Sequence, residues 1–284
     1  MLKNMKEIII HIDDVWLSKK TNDAIFSLYE KGLKFSTSLM SVTEWFQDYV
    51  KRYKNTYSKK IDTWLHLTLT SEWETKKTKP VTEIKKVETL VNEDWKFYSN
   101  IYELFNNANI EHIIKEIENQ VIYTLDHWVE LTHIDSHMWV LLHKKIIKYY
   151  IELAKKYNLK PFLKYPSNPY EENPSIGDWF WGCGKEINEY IKKWFKVFDW
   201  MDPWSLGNNK YYNNWLEWFS SNFKKRVDNL SNWVNYFIFH VIENYWEDFI
   251  LDKKNRYIEY LFLKNKIEQI LKEKNIWILT MKEF

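Results

Sequence analysis

Short apolar strands alternate with helical segments along most of this 284-residue chain, and that alternation constrains the fold more than any other feature. Ile8-Ile9-Ile10-His11-Ile12 is β-branched and continuous, as a strand buried on both faces must be. Similar segments recur at Phe35 to Met40, Thr63 to Leu69, Glu130 to Ser136, Pro161 to Tyr165, Tyr236 to His240 and Ile276 to Thr280. Between them lie helix-spaced stretches near Thr21 to Lys31, closed by Gly32, and around Thr43 to Tyr53. Another carries the apolar stripe Ile110, Ile113, Ile114, Ile117, Val121 and Leu125. Helices are also expected over Val140 to Tyr157, across most of Lys185 to Arg226, and over Arg256 to Lys272. Strand–helix alternation implies βαβ units and a largely parallel sheet. The expected fold is α/β, a distorted (β/α) barrel of about seven mostly parallel strands surrounded by helices. One domain is expected over residues 1–284, with a polar, poorly periodic insertion around 71–109.

Composition narrows the class further. With 45% hydrophobic and 28% charged residues, the chain is neither disordered nor collagen-like, and its one cysteine, Cys183, excludes a disulfide framework. A formal charge of +2 provides no broad cationic field, so no nucleic-acid partner is expected. No apolar run approaches the roughly 20 residues that span a bilayer, so no membrane partner is expected and a reducing cytoplasm fits best. A homodimer is left open.

Three segments place ionisable residues at the C-terminal ends of expected strands, where parallel α/β folds bind ligands. The first is Asp13-Asp14, two adjacent carboxylates that need a compensating cation or proton. The second is Leu65-His66-Leu67, and the third Thr132-His133-Ile134-Asp135-Ser136-His137. In an extended strand His133, Asp135 and His137 share a face. Asp and His converging on one edge make a sensible divalent-metal site, with a second carboxylate free to act as a base. Blander roles exist: a lone His in a strand is often a hydrogen-bonded core residue, and Asp-Asp after a strand is often a helix N-cap and its neighbour.

These residues resemble the YdjC-like carbohydrate deacetylases. Ile10-His11-Ile12-Asp13-Asp14-Val15-Trp16-Leu17-Ser18 is similar to that family's opening A-D-D-F-G-L-S motif. The likeness continues through Asn22, Ala24 and Ile25 and through Ser36-Thr37-Ser38-Leu39-Met40. Trp64-Leu65-His66-Leu67-Thr68-Leu69-Thr70 resembles G-L-H-L-T-L-T, and Thr132 to Met138 resembles T-H-x-D-S-H-M. Val234 to His240 resembles a strand ending in His-Pro, with Val241 in place of the Pro, and Ile276 to Phe284 resembles the closing strand and tail. The resemblance implies metal-dependent removal of N-acetyl groups from amino sugars or oligosaccharides. It implies Asp14, His66 and His137 as metal ligands, Asp13 as the base that activates bound water, and His240 as a proton donor or pocket wall. His133 and Asp135 would orient the ligands. The cation would be Mg²⁺ or Zn²⁺: imidazole ligands favour Zn²⁺, while the family is associated with Mg²⁺. Alternatives from other classes are a catalytically impaired carbohydrate-binding barrel and another metal-dependent sugar-acting barrel enzyme.

The departures from the motifs are systematic. The chain has 17 Trp and only 5 Gly, where average usage would give roughly 20 Gly. Trp16, Trp64, Trp128 and Trp139 stand where the resembled pattern has Gly, and Trp233 makes a fifth. Two explanations compete. Indoles, including Trp179, Trp181, Trp194, Trp200 and Trp204, line a sugar site; or the gene uses UGA for Gly and was translated with Trp. The coincidence of Trp with Gly positions favours the second, and abundant Lys, Asn, Ile, Tyr and Phe, whose codons are AT-rich, suit such a genome.

Overall fold

Ile8, Ile9, Ile10 and Ile12 are all fully buried, and the strand they build, β1 (Lys6–Val15), is the centre of the sheet. A computed structural model describes residues 6–57, 60–73, 76–163, 200–203, 214–230, 235–246 and 252–284. Among these, β1 is followed by β2 (Ser36–Leu39), β3 (Asp62–Leu67), β4 (His133–Ser136), β5 (Lys160–Pro161), β6 (Trp200–Pro203), β7 (Asn235–His240) and β8 (Ile276–Leu279). Every pairing is parallel, in the spatial order β5-β4-β3-β2-β1-β7-β6, with β8 also on β1. The sheet curls into a half-barrel surrounded by helices, the α/β class expected from the alternation of elements.

Each helix covers the sheet with the stripe its sequence provides. In α1 (Lys19–Glu30) Ala24, Ile25, Phe26 and Leu28 are buried, and Ser18 caps the first turn by accepting the Thr21 N–H at 3.1 Å. The cap is therefore Ser18 and not the Asp13-Asp14 pair, which leaves those carboxylates for other work. Gly32 ends α1 at φ +94°, and Leu33 N–H returns to Leu28 C=O at 3.2 Å, a Schellman closure that needs a left-handed residue. The short α2 (Phe46–Arg52) follows β2, and α3 (Ile101–Asn107) closes the 71–109 segment, which otherwise holds two single-turn 3₁₀ helices at 84–86 and 88–90. α4 (Ile110–Asp126) buries Ile113, Ile117 and Val121 as its stripe requires.

Three expectations are corrected. The helix expected over Val140 to Tyr157 begins later, as α5 (Ile147–Lys156), because residues 137–142 form 3₁₀ turns interrupted by left-handed Met138 and Trp139. The expected helical run from Lys185 to Arg226 contains β6, and its described helix is α6 (Trp215–Asp228). The helix expected from Arg256 to Lys272 is two, α7 (Lys253–Asn265) and α8 (Ile267–Glu273), broken at Lys266. Cys183, Trp233 and the indoles Trp179, Trp181, Trp194 and Trp204 lie outside the described residues; for Trp200 the backbone alone is described. No helix among the described residues is long and apolar enough to cross a membrane.

Candidate metal centre

Adjacent residues of a regular strand point to opposite faces, so Asp13 and Asp14 cannot both serve one site without a distortion. The distortion is present. Between Ile12, opposite Thr37, and Val15, opposite Leu39, β1 uses one more residue than β2. Asp14 sits within this bulge at φ +56°, a left-handed conformation that Asp tolerates better than most residues. Both carboxylates consequently reach the C-terminal edge of the sheet.

Three ligand atoms from three strand ends converge there. Asp14 Oδ1 lies 3.4 Å from His66 Nε2 and 3.2 Å from His137 Nδ1, and the two ring nitrogens are 3.3 Å apart. All three residues are buried. Asp14 Oδ1 has no hydrogen-bond partner among the described residues that meets bonding geometry, although both nitrogens approach it. The remaining edges of each ligand are held. His66 donates Nδ1–H to Asp135 Oδ1 at 2.6 Å, and His137 donates Nε2–H to Glu72 Oε1 at 2.5 Å. Each imidazole therefore turns its second ring nitrogen into the triangle, the carboxylate–histidine arrangement that accompanies bound metals. Arg256, on α7, donates to Asp14 Oδ2 at 2.7 Å and leaves Oδ1 for the triangle.

The donor set fits a cation. Its three ligand atoms lie 3.2–3.4 Å from one another, close enough for one divalent ion to reach all three. Charge agrees with geometry: the carboxylates of Asp14, Asp135 and Glu72 contact the two imidazoles, and Arg256 pairs with Asp14. Burial alone would lower the His66 pKa, but Asp135 and the neighbouring aspartates outweigh it and raise it well above the usual imidazole range. For His137 burial is likewise outweighed, by Glu72 and Asp14, and its pKa rises to about 9. Asp14 is held well below the carboxylate range, burial being overcome by Arg256 and the two imidazoles.

Asp13 stands beside the triangle with one oxygen engaged. Its Oδ1 accepts from His11 Nε2 at 2.8 Å and from Ser38 Oγ at 3.2 Å. His11 is fully buried and also reaches Asp135 Oδ2 at 3.2 Å, so one imidazole joins the two carboxylates behind the site. Asp13, His66 and Asp135 line a cavity of about 20 Å³, room for about one water, together with Trp139, Phe162 and Tyr236.

The other sequence candidates divide. Asp135 lies directly opposite His66 in the β3–β4 register and accepts its Nδ1–H. His133 bonds neither the triangle nor Asp135: its Nδ1 meets Thr132 Oγ1 at 2.8 Å, its ring stacks on Trp64 at 4.7 Å, and Nε2 has no partner among the described residues. Burial lowers its pKa to about 2, so it is neutral. His240, opposite Asp13 at the end of β7, places Nε2 3.8 Å from Asp14 Oδ2 and is partly exposed, at the rim. Its backbone N–H donates at 2.6 Å to Glu259, whose pKa burial raises to about 8.

Glu72, Arg256, His11 and Ser38 were not singled out from sequence. Glu72 lies 65 residues from His137, and Arg256 lies 242 residues from Asp14, so no local spacing could announce them.

The sequence profile of YdjC-like proteins matches residues 7–272. The chain belongs to the YdjC-like family. Among its curated relatives, a carbohydrate deacetylase of Thermoanaerobacter pseudethanolicus is 31% identical over 155 residues, 55% of this chain and 59% of that protein. A carbohydrate deacetylase of Clostridium beijerinckii is 28% identical over 192 residues, 67% of this chain and 69% of that protein. The chain thus spans about three-fifths of the first relative's length. A solved structure from Enterococcus faecalis, described as acting in cellobiose-phosphate cleavage, superposes with a TM-score of 0.73 at 20% identity and covers 98% of both chains. That likeness establishes the common fold.

Proposed function

We propose that this YdjC-like protein is a metal-dependent hydrolase that removes N-acetyl groups from amino sugars or their oligosaccharides. The observation that carries the proposal is the triangle of Asp14 Oδ1, His66 Nε2 and His137 Nδ1, with Asp13 beside it. The deacetylase relatives support the reaction class.

Asp14, His66 and His137 would hold the ion, which when bound acidifies water and polarises the acetamide carbonyl. Asp135 and Glu72 fix the ring nitrogen that each His presents. Asp13 is the general base. With Oδ1 occupied by His11 and Ser38, its other oxygen takes the proton of the attacking water, which the small cavity accommodates. His240, partly exposed 3.8 Å from Asp14 Oδ2, would serve as proton donor or wall of the pocket.

Trp16 and Trp64 are fully buried and offer no face to a sugar, which weighs against a role as stacking platforms. The test is acetate release from N-acetylglucosamine oligomers by the full chain, with metal analysis of the purified protein. Metal-dependent acetate release is the expected result; glycan binding with neither metal nor acetate release would replace the enzyme with a binding barrel.

A further inference from the structure

His66 lies close to the end of its strand, and sheet pairing alone does not hold that end. β3 is paired with β2 as far as Leu65 and with β4 as far as Leu67. Thr68 follows, fully buried, with a backbone N–H and C=O that need partners away from water. Gln120 of α4 supplies both. Thr68 N–H donates to Gln120 Oε1 at 3.0 Å, and Gln120 Nε2 donates to Thr68 C=O at 2.7 Å. One carboxamide, 52 residues away in sequence, thus stands in for a further strand. The Thr68 hydroxyl donates to His66 C=O at 2.7 Å, which ties the held residue back to the one that carries a ligand nitrogen.

Gln120 is itself fixed. Its Nε2 also donates to Glu116 Oε1 at 2.9 Å, one helical turn earlier. Glu116 accepts Val81 N–H at 3.0 Å and Thr82 N–H at 3.1 Å, so its carboxylate is satisfied by backbone. Both side chains are fully buried beside the apolar stripe of α4. Neither touches the triangle of ligand atoms, but the backbone they anchor serves it in two directions. His66 stands two residues before Thr68. Glu72 stands four residues after it and accepts His137 Nε2–H at 2.5 Å.

We propose that Gln120, held by Glu116, is a positioning residue for the metal centre. It fixes the end of β3 so that His66 and, through Glu72, His137 present their nitrogens to one ion. The ligand role rests on the metal-dependent reading above; the hold on β3 stands on its own bonds.

Calorimetric zinc titration of the full chain tests the ligand role. Gln120→Leu roughly keeps the volume and deletes both bonds to Thr68, and it should weaken zinc binding about tenfold. The control is Val121→Ala, which removes packing from the next residue of the same helix and leaves Thr68 alone. It should lower Tm while zinc affinity stays within about twofold of wild type. Zinc binding as tight in Gln120→Leu as in wild type, or an equal loss in Val121→Ala, overturns the positioning role. Hydrogen exchange of the metal-free chain gives an answer that does not depend on zinc. Backbone amides of residues 66–72 should exchange about tenfold faster in Gln120→Leu than in Val121→Ala, and equal exchange overturns the hold on β3. Should Gln120→Leu fail to fold, Thr68→Val removes only the hydroxyl link to His66 and should weaken zinc binding about threefold. Unchanged affinity in Thr68→Val overturns that link. A wild-type chain that takes up no zinc would overturn the metal-centre reading and the ligand role together, whereas zinc uptake unaffected by Gln120→Leu overturns the ligand role alone.

Discussion

The candidate metal centre and two tryptophan-bearing turns, at Trp16 and Trp139, share the C-terminal edge of the sheet yet differ in how well their residues fit. In the centre, both histidines have a carboxylate behind them and Asp14 has Arg256, across sequence separations of 69, 65 and 242 residues. A few residues away, Trp16 stands at φ +81° and Trp139 at φ +60°, with Trp128 at φ +64° after α4. Left-handed backbone costs a bulky residue about 1–2 kcal/mol and costs Gly almost nothing. Trp16 and Trp64 also bury indole N–H groups with no partner among the described residues, at about 1–3 kcal/mol each. The backbone around the site is thus shaped for glycine, while the side chains that would do the chemistry match their surroundings. Trp95, at φ +59° and exposed, belongs with the same set, though no motif marked it.

The largest effect should come from breaking the well-fitted half. His66→Ala with His137→Ala removes two of three ligand atoms, and both metal content and acetate release should fall, the latter on the order of 10³-fold or more. Asp13→Asn keeps the ligands and should cost about 10²–10⁴-fold while metal content stays at the wild-type level. Turnover within tenfold of wild type in the double variant would show that the triangle is not the reacting centre.

The poorly fitted half should respond in the opposite direction. Trp139 lines the 20 Å³ cavity beside Asp13, which has room for about one water. Trp139→Gly relieves φ +60° and opens that space, so deacetylation should rise by about tenfold or more, roughly 1.4 kcal/mol in the barrier. A fall in activity would mean that the indole serves the substrate, and would restore the account in which the tryptophans are functional.

How much of this was legible follows from the same contrast. β1, the Gly32 stop and the α4 stripe were readable because each is a local pattern whose burial agrees with it. The triangle was readable because its residues end strands, and parallel topology gathers strand ends. β6 was missed because Trp200-Met201-Asp202-Pro203 has no alternation and sits among helix-like sequence. The start of α5 was misplaced because the backbone reverses at Met138 and Trp139, a conformation neither residue advertises. His133 shares the face of Asp135, as its spacing implies, but lies one layer further from the strand ends, stacked on Trp64. Glu72 and Arg256 belong to contacts that exist only once the chain has folded.

A milder perturbation is pH. Because Glu72 and Asp14 raise the His137 pKa to about 9, and His66 is also raised, both rings carry protons near neutrality that a metal must displace. Apparent metal affinity should therefore climb with pH by up to about tenfold per unit for each proton released, and level off above about 9. Glu72→Gln removes the carboxylate that raises His137, so its affinity should level off at lower pH. A flat profile between pH 6 and 9 in the wild type would contradict the proton-for-metal exchange.

The smallest effect isolates backbone strain from everything else. Trp128 is 78% exposed, so its replacement removes little packing, and its backbone N–H to Leu125 C=O bond at 2.8 Å is one that Gly also makes. Trp128→Gly should therefore stabilise the chain by about 1 kcal/mol, a rise in Tm of about 2–3 °C, measured by calorimetry. Trp16→Gly is a less clean test because the indole fills space against Phe46 and Tyr49, each at 4.6 Å, and strain relief competes with a new cavity. A Trp128→Gly chain no more stable than the parent would show that this turn carries no glycine preference. The gene decides the origin of the mismatch independently: UGA at codons 16, 64, 128 and 139 makes these residues glycine in the organism, and UGG makes them true tryptophans whose strain the fold must hold.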